Sequence, residues 1–341
     1  MAALEGVMIS PVLRFDEAAA RAFAARMATR VDRGAADAIL TLGNSGEFIR
    51  REAVTGQRLD VERAFAVLQE WAQSGRTTDN PPPLPLDTTP PGRTLDAYTG
   101  IDAEIARFHT EIGGTRERVS NVTVAAQALN GQVIQPDQEF SFNAVVGPRT
   151  EDRGFKEAPI IYAGKLVPGI GGGVCQASST LFNAAAAAGM TLLERHNHSH
   201  PVPYVLPGRD AAVSSSALNL RFRNDLGVPI AILTRVENLT LHIVIAGPVG
   251  RNGARLVTTT PQIKPPPAKE IPDPNLPAGK RVVVDEGQPS IFVITSRVWR
   301  EGETERIEEL TRSYYPAKPR IVRVGTGPTA PAGEAPPPAP R

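Results

Sequence analysis

A single cysteine, Cys175, stands between a run of glycines and an alanine-rich stretch, in GIGGGVCQASSTLFNAAAAAGM (residues 169–190). Alanine is the strongest helix former, so this spacing predicts a helix with Cys175 in its first turn. Unpaired backbone N–H groups and the positive end of the helix dipole favour an anion there. The thiolate therefore gains over its reference pKa of about 8.5. The same N–H groups, unobstructed by side chains at Gly171, Gly172 and Gly173, can receive the oxyanion that forms when a thiolate attacks a carbonyl.

A cysteine that transfers acyl groups also needs a base, usually histidine, and often a group that orients it. Three of the five histidines, His196, His198 and His200, cluster downstream in ERHNHSHPVPYVLPGRDAAV. Asp210, in the same stretch, is a candidate orienter for one imidazole.

On the residues alone three other readings stay open. A lone cysteine is often a small buried hydrophobe. The three histidines alternate, so on a strand they would share one face and, with Cys175, suit zinc, although no acidic general base accompanies them. The glycine run could cradle a phosphate, but it lacks the GKS or GKT ending of a P-loop. No metal and no cofactor is expected.

Positioning these residues falls to a chain of 341 residues, long enough for two or three domains. A formal net charge of +1, from 37 basic and 36 acidic side chains, gives no reason to expect nucleic acid as a partner. One cysteine cannot form an internal disulfide. No apolar run reaches the roughly 18 residues of a membrane span, and MAALEGVMIS lacks the features of a signal peptide.

Proline clusters suggest the seams, at 81–91, at 265–267 and in the tail. The expected layout is a small α+β module over 1–78, a linker over 79–94, a central α+β domain over 95–262, a linker over 263–269, a small β module over 270–326 and a disordered tail over 327–341. In the first module Phe15, Ala19, Phe23, Met27 and Val31 predict one helix face, and Asp60 caps a second helix bearing Val61, Ala64, Phe65, Leu68 and Ala72. Ala38–Leu42 and Glu47–Val54 read as short strands. In the central domain a helix is expected near Val119–Leu129. Strands are expected at FSFNAVVG (140–147), APIIYAGKLV (158–167), AVSSSALNLRFRND, VPIAILTRV and LTLHIVIAG. The fold class is therefore multi-domain α+β, with a central antiparallel sheet and a cysteine-bearing helix.

The separated words RVSNV, FSFNAVVGPRT, GIGGGVCQASSTLFNAA, ERHNHSHPVPYVLPGRDAAV and LRFRND, from about Thr110 to Gly247, resemble the VanW domain family. The first module resembles the peptidoglycan-binding module that often precedes such domains, and appears here from partway through. The third resembles the five-glycine module associated with cell-wall adhesion, with Gly279, Gly287, Gly302 and Gly325 among its strands. The resemblance implies an extracytoplasmic, cell-envelope protein that meets peptidoglycan stem peptides and glycan strands. Any signal or membrane anchor would lie outside this chain.

For some VanW domains the family implies L,D-transpeptidase chemistry, in which a cysteine attacks a stem-peptide carbonyl and an amine resolves the thioester. On that pattern Cys175 is the nucleophile, His198 the base and Asp210 its orienter. Gly172, Gly173 and Gln176 would serve the oxyanion. Ser199 and Tyr204 would contact peptide, and Arg118 and Arg149 would bind a stem carboxylate, since guanidinium pairs with carboxylate bidentately. Asn219 stands where the family often has an acid. The alternatives are a non-catalytic glycan-binding envelope protein linked to glycopeptide resistance, or a cysteine peptidase or amidase of the wall.

Overall fold

The computed structural model describes residues 14–74, 81–162, 165–215 and 217–328. The expected disordered tail lies almost wholly outside them. The chain divides into two units, residues 1–40 with 49–97 and residues 41–48 with 98–341.

In the first unit Asp16 caps α1 (Glu17–Val31) by accepting the Ala19 N–H at 2.9 Å. Along the chain follow the strands β1 (Ile39–Leu42) and β2 (Phe48–Arg51), of which Thr41–Leu42 and Phe48 count with the second unit, then β3 (Gly56–Leu59), α2 (Val61–Gln73), capped by Asp60, and β4 (Leu86–Thr89). The buried centre is Ala24, Leu59 and Ala64, with Met27, Ala28 and Val31 against them. Of the expected face of α1, Met27 and Val31 pack on this centre and Phe15 meets Phe65, whereas Ala19 and Phe23 are exposed and Ala24 takes their place. Two fully buried alanines facing each other let the helices approach more closely than a phenylalanine would. The supposed spacer over 79–94 is also not only a spacer, because β4 pairs antiparallel with β3 and Leu84 packs on the small core.

The second unit opens with β5 (Ala103–Glu111), α3 (Arg116–Leu129), β6 (Gln132–Ile134), β7 (Glu139–Ser141) and α4 (Phe142–Val146). FSFNAVVG is thus mostly helical rather than a strand. Ser141 ends the strand and caps α4 through the Ala144 N–H. Next come the hairpin β8 (Glu157–Tyr162) and β9 (Lys165–Ile170), the long helix α5 (Val174–Ala188), β10 (Thr191–Glu194), β11 (Arg221–Arg223), β12 (Ile230–Glu237) and β13 (Thr240–Gly247). Among the described residues of AVSSSALNLRFRND only Arg221–Arg223 is strand.

An antiparallel sheet in the order β5-β13-β12-β6 carries α5 against β5 and β13 and α3 against β12. The alternating buried residues of β12 and β13, among them Ile230, Ile232, Leu241, Ile243 and Ile245, meet Leu181, Phe182 and the alanines of α5. Nearly every residue of α5 is buried. Its alanines allow a helix to lie in the middle of the core, and that fixes where Cys175 stands.

The remainder is all β: β14 (Arg255–Lys264), β15 (Ala268–Pro277), β16 (Arg281–Asp285), β17 (Ser290–Glu301), β18 (Thr304–Tyr315) and β19 (Arg320–Gly327). They form two sheets, β14-β17-β18 and β15-β19-β16. The expected linker over 263–269 is corrected here. Lys264 pairs with Ser290 and Ala268 with Arg320, so strands run into both ends of the proline triplet. β14 and β15 are edge strands, where proline's missing N–H costs the ladder nothing, and Pro265–Pro267 carry the chain from one sheet to the other.

Candidate active site

Cys175 is the second residue of α5 and partly exposed. The helix N-cap is Gly173, at φ +107°, and a Cβ there would stand 2.9 Å from Arg118 Cγ. Only glycine takes that backbone against that neighbour without strain. The glycine turn is held by Asn121, fully buried on α3, whose amide donates to the carbonyls of Gly172 and Lys156 at 2.9 Å each and accepts the Lys156 N–H at 2.7 Å. In this turn the Val174 N–H is taken by the Gly171 carbonyl and that of Gln176 by the Gly173 carbonyl.

Opposite the turn lies the segment from Glu194 to Val213. Asp210, 1% exposed, accepts the His198 backbone N–H at 2.6 Å and bonds His198 Nδ1 at 2.7 Å through the same oxygen, Oδ2. Nδ1 being committed, Nε2 is the nitrogen left for Cys175. The thiol donates to the Val213 carbonyl at 3.3 Å.

The electrostatics follow from this line. Burial works against ionising the Cys175 thiol, but the hydrogen bond and charge of His198 and the charge of Arg149 hold it below the ordinary thiol value. Burial likewise opposes a charged His198, yet its bonds to Asp210 and Cys175 raise it to about 9. Asp210 is held low, since the His198 bonds and the buried Arg195 beside it outweigh its own burial. A lowered thiol and a raised imidazole both favour the thiolate–imidazolium form of the pair, the form in which a cysteine is a nucleophile.

A cleft of about 1740 Å³ opens in front of this line, bordered by Gly171–Gln176, Arg118, Arg149, His198–Tyr204 and Val213–Ser215. Arg118 donates to the Gly113 carbonyl at 2.8 Å and Gln176 Oε1 at 2.7 Å, while Arg149 donates to Asn143 Oδ1 at 2.6 Å and the Gly147 carbonyl at 3.1 Å. Burial pulls both guanidiniums down, and the acidic groups that act on them are Cys175 and, for Arg118, Tyr204. No carboxylate among the described residues pairs with either. Tyr204 borders the cleft with its phenol pushed far up by burial, so it stays protonated.

Several candidates separate from the site. The Gln176 side chain is fully buried, and its amide donates to Thr110 Oγ1 and the Glu111 carbonyl. It is not available to an oxyanion, and instead props Arg118. The three histidines do not converge: His196 bonds Glu194, His198 bonds Asp210, and His200 Nδ1 shares a hydrogen bond with Ser199 Oγ. Asn219 accepts the N–H groups of Asn143 and Leu220, a structural duty. Sequence reasoning missed Asn121, Ser179 and Arg195. Asn121 and Arg195 lie inside the quoted words RVSNV and ERHNHSH, but as buried hydrogen-bonding residues they have no spacing signature.

Residues 117–246 match the family described as VanW like protein, and residues 255–327 match the G5 domain. Over 148 residues, 40% of this chain and 49% of the relative, the sequence is 49% identical to the uncharacterized protein YoaR of Bacillus subtilis (strain 168). Over 113 residues, 32% of this chain and 41% of the relative, it is 34% identical to the vancomycin B-type resistance protein VanW of Enterococcus faecalis (strain ATCC 700802 / V583). The chain thus spans about half the length of the curated relatives it matches. The stretch that matches the VanW model holds Cys175, His198 and Asp210, and the stretch that matches the G5 domain follows it.

Proposed function

We propose that this protein is a cell-envelope acyltransferase of the L,D-transpeptidase type, acting on peptidoglycan stem peptides through a thioester at Cys175. The observation that carries the reading is the line Cys175, His198, Asp210 at the wall of one cleft, with the thiol lowered and the imidazole raised. The Cys175 thiolate attacks the donor carbonyl carbon. The resulting oxyanion is received by the N–H groups of the glycine turn that have no backbone acceptor among the described residues, those of Gly172, Gly173 and Cys175. His198 Nε2 then gives its proton to the leaving amine as the C–N bond breaks, leaving a thioester and a neutral imidazole. An acceptor amine attacks the thioester, His198 takes its proton, and the amide forms as the thiolate is released. Water in place of the amine gives hydrolysis.

The cleft supports a polymeric substrate, since single small molecules usually occupy about 300–1,000 Å³. Arg118 and Arg149, facing it without carboxylate partners, suit the carboxylates of a stem peptide. Ser199 and Tyr204 offer hydroxyls along the same wall. The enterococcal relative's name and the G5 domain support an envelope setting, with glycan strands as the partner of the flanking modules, including the N-terminal unit read as peptidoglycan-binding. No helix among the described residues is long and apolar enough to cross a membrane.

The test is incubation of wild type and Cys175→Ser with purified tetrapeptide muropeptides, followed by mass spectrometry. Wild type is expected to give an adduct on Cys175 and a cross-linked or trimmed product, and the variant neither. Wild type without adduct or product would overturn the catalytic reading and leave a glycan-binding envelope protein.

A further inference from the structure

Asp210 is the buried end of the line, and each of its oxygens is used twice. Oδ2 takes the two bonds from His198, while Oδ1 takes Arg195 Nη2 at 3.1 Å and the Tyr315 phenol at 2.5 Å. A carboxylate has about four lone-pair sites, so this set saturates it. Tyr315 is 1% exposed and ends β18, outside the VanW domain and 105 residues from Asp210. Its oxygen accepts the Gly208 N–H at 2.6 Å, so its one proton is committed to the carboxylate.

The same β17–β18 ribbon holds the loop before Asp210 at two more points. Thr295 donates to the Gly208 carbonyl at 2.9 Å, and Ser313 accepts from Arg195 Nη1 at 2.6 Å. A Cβ on Gly208, at φ +87°, would stand 2.7 Å from both Thr295 Oγ1 and Val293 Cγ1, which shows how closely the ribbon approaches.

The geometry points to Tyr315 as a positioning residue for the Cys175–His198–Asp210 site, lent by the G5 domain, so that this domain is part of the acyl-transfer machinery. This rests on the catalytic reading above. The phenol fixes the carboxylate's rotation and tempers its basicity. With less pull on Nδ1, the imidazolium is a better acid toward the leaving amine. Burial and the Asp210 charge push the phenol far up, so it remains a donor throughout the working pH range.

Docking alone is separated from positioning by comparing Tyr315→Phe, which removes the bond to Asp210, with Thr295→Val, which removes a bond at the same interface without touching the carboxylate. Two readouts are used on the full chain: iodoacetamide alkylation of Cys175 against pH, and muropeptide acylation. Tyr315→Phe is expected to slow acylation about tenfold or more at unchanged half-saturation, and to move the alkaline limb of the alkylation profile up by about half a unit. Thr295→Val keeps the wild-type profile. 3-Fluorotyrosine at position 315 preserves the packing with a more acidic phenol, and should move the limb down; it decides the matter if the phenylalanine variant does not fold. Equal profiles for Tyr315→Phe and Thr295→Val, or no movement with fluorotyrosine, overturn the proposal. A wild type that never acylates while the alkylation limb still moves sinks the transferase reading and leaves the role of Tyr315 standing.

Discussion

Ser179 stands one helical turn after Cys175, and its hydroxyl donates to the Cys175 carbonyl and accepts the Ala211 N–H, each at 2.8 Å. That side chain joins the turn bearing the nucleophile to the segment bearing Asp210. Asn183, one turn further, repeats the tie through the Arg209 carbonyl at 2.7 Å. One face of α5 thus sets the distance between thiol and imidazole.

Ser179→Ala leaves the buried Ala211 N–H without its acceptor. A loss of about 1–3 kcal/mol in unfolding free energy is expected, since an orphaned buried donor costs roughly that much. Alkylation of Cys175 at neutral pH should slow as well, because His198 and the thiol drift apart. Urea unfolding and iodoacetamide kinetics check both; an unchanged midpoint with unchanged alkylation means that the tie is unimportant.

The pH behaviour follows from the two shifts. Taken alone, the raised His198 adds stability that is complete below the ordinary histidine value near 6.5 and is lost as pH rises through about 9. The lowered Cys175 works the other way, adding stability above the ordinary thiol value that is lost as pH falls through its folded value. The two contributions run in opposite directions with pH and so partly offset each other in stability. Alkylation should be fast at pH 7 in wild type. In His198→Ala burial of the thiol is opposed mainly by the Arg149 charge, and the rate at pH 7 should fall at least about tenfold, recovering only in alkali. A variant as reactive as wild type at neutral pH removes His198 from the site.

Arg149 is held by neutral partners and faces the cleft, so its charge is available to a ligand. Arg149→Ala should raise the half-saturating muropeptide concentration by about 10- to 100-fold, the equivalent of a charged hydrogen bond of about 1.5–3 kcal/mol. Turnover at saturation should change far less. Arg149→Lys recovers only part, because one ammonium cannot reproduce a bidentate contact. An effect on turnover alone would move Arg149 from recognition to support of the thiolate.

Much of this site is local, and for that reason legible in sequence. The glycine run and the alanine run locate the N-terminus of α5 by propensity alone, and the GRDAAV word brings Asp210 close behind His198. Non-local pairings were out of reach. Tyr315 lies in a strand that alternates like any packing strand, and nothing in SYY signals a phenol aimed at a carboxylate 105 residues earlier. Prolines misled for a related reason, since they mark spacers and edge strands alike, and only the partner strand tells them apart. The Gln176 side chain sits beside the nucleophile in sequence, but the helical turn carries it inward to Thr110.

Gly173 offers the sharpest test of the oxyanion turn. Its φ of +107° lies where an L side chain is strained, and the added Cβ would press on Arg118 Cγ at 2.9 Å and Val122 Cγ2 at 3.1 Å. Val122 is fully buried on α3, so it has little room to yield. Gly173→Ala should therefore lose about 1–3 kcal/mol of stability from backbone strain alone. Acylation should suffer more than alkylation, because an oxyanion forms only in the former, and losing one such donor costs about 100- to 1,000-fold. Equal losses in the two reactions would indicate that the strain disturbs the thiolate itself, and would place the oxyanion donors elsewhere in the cleft.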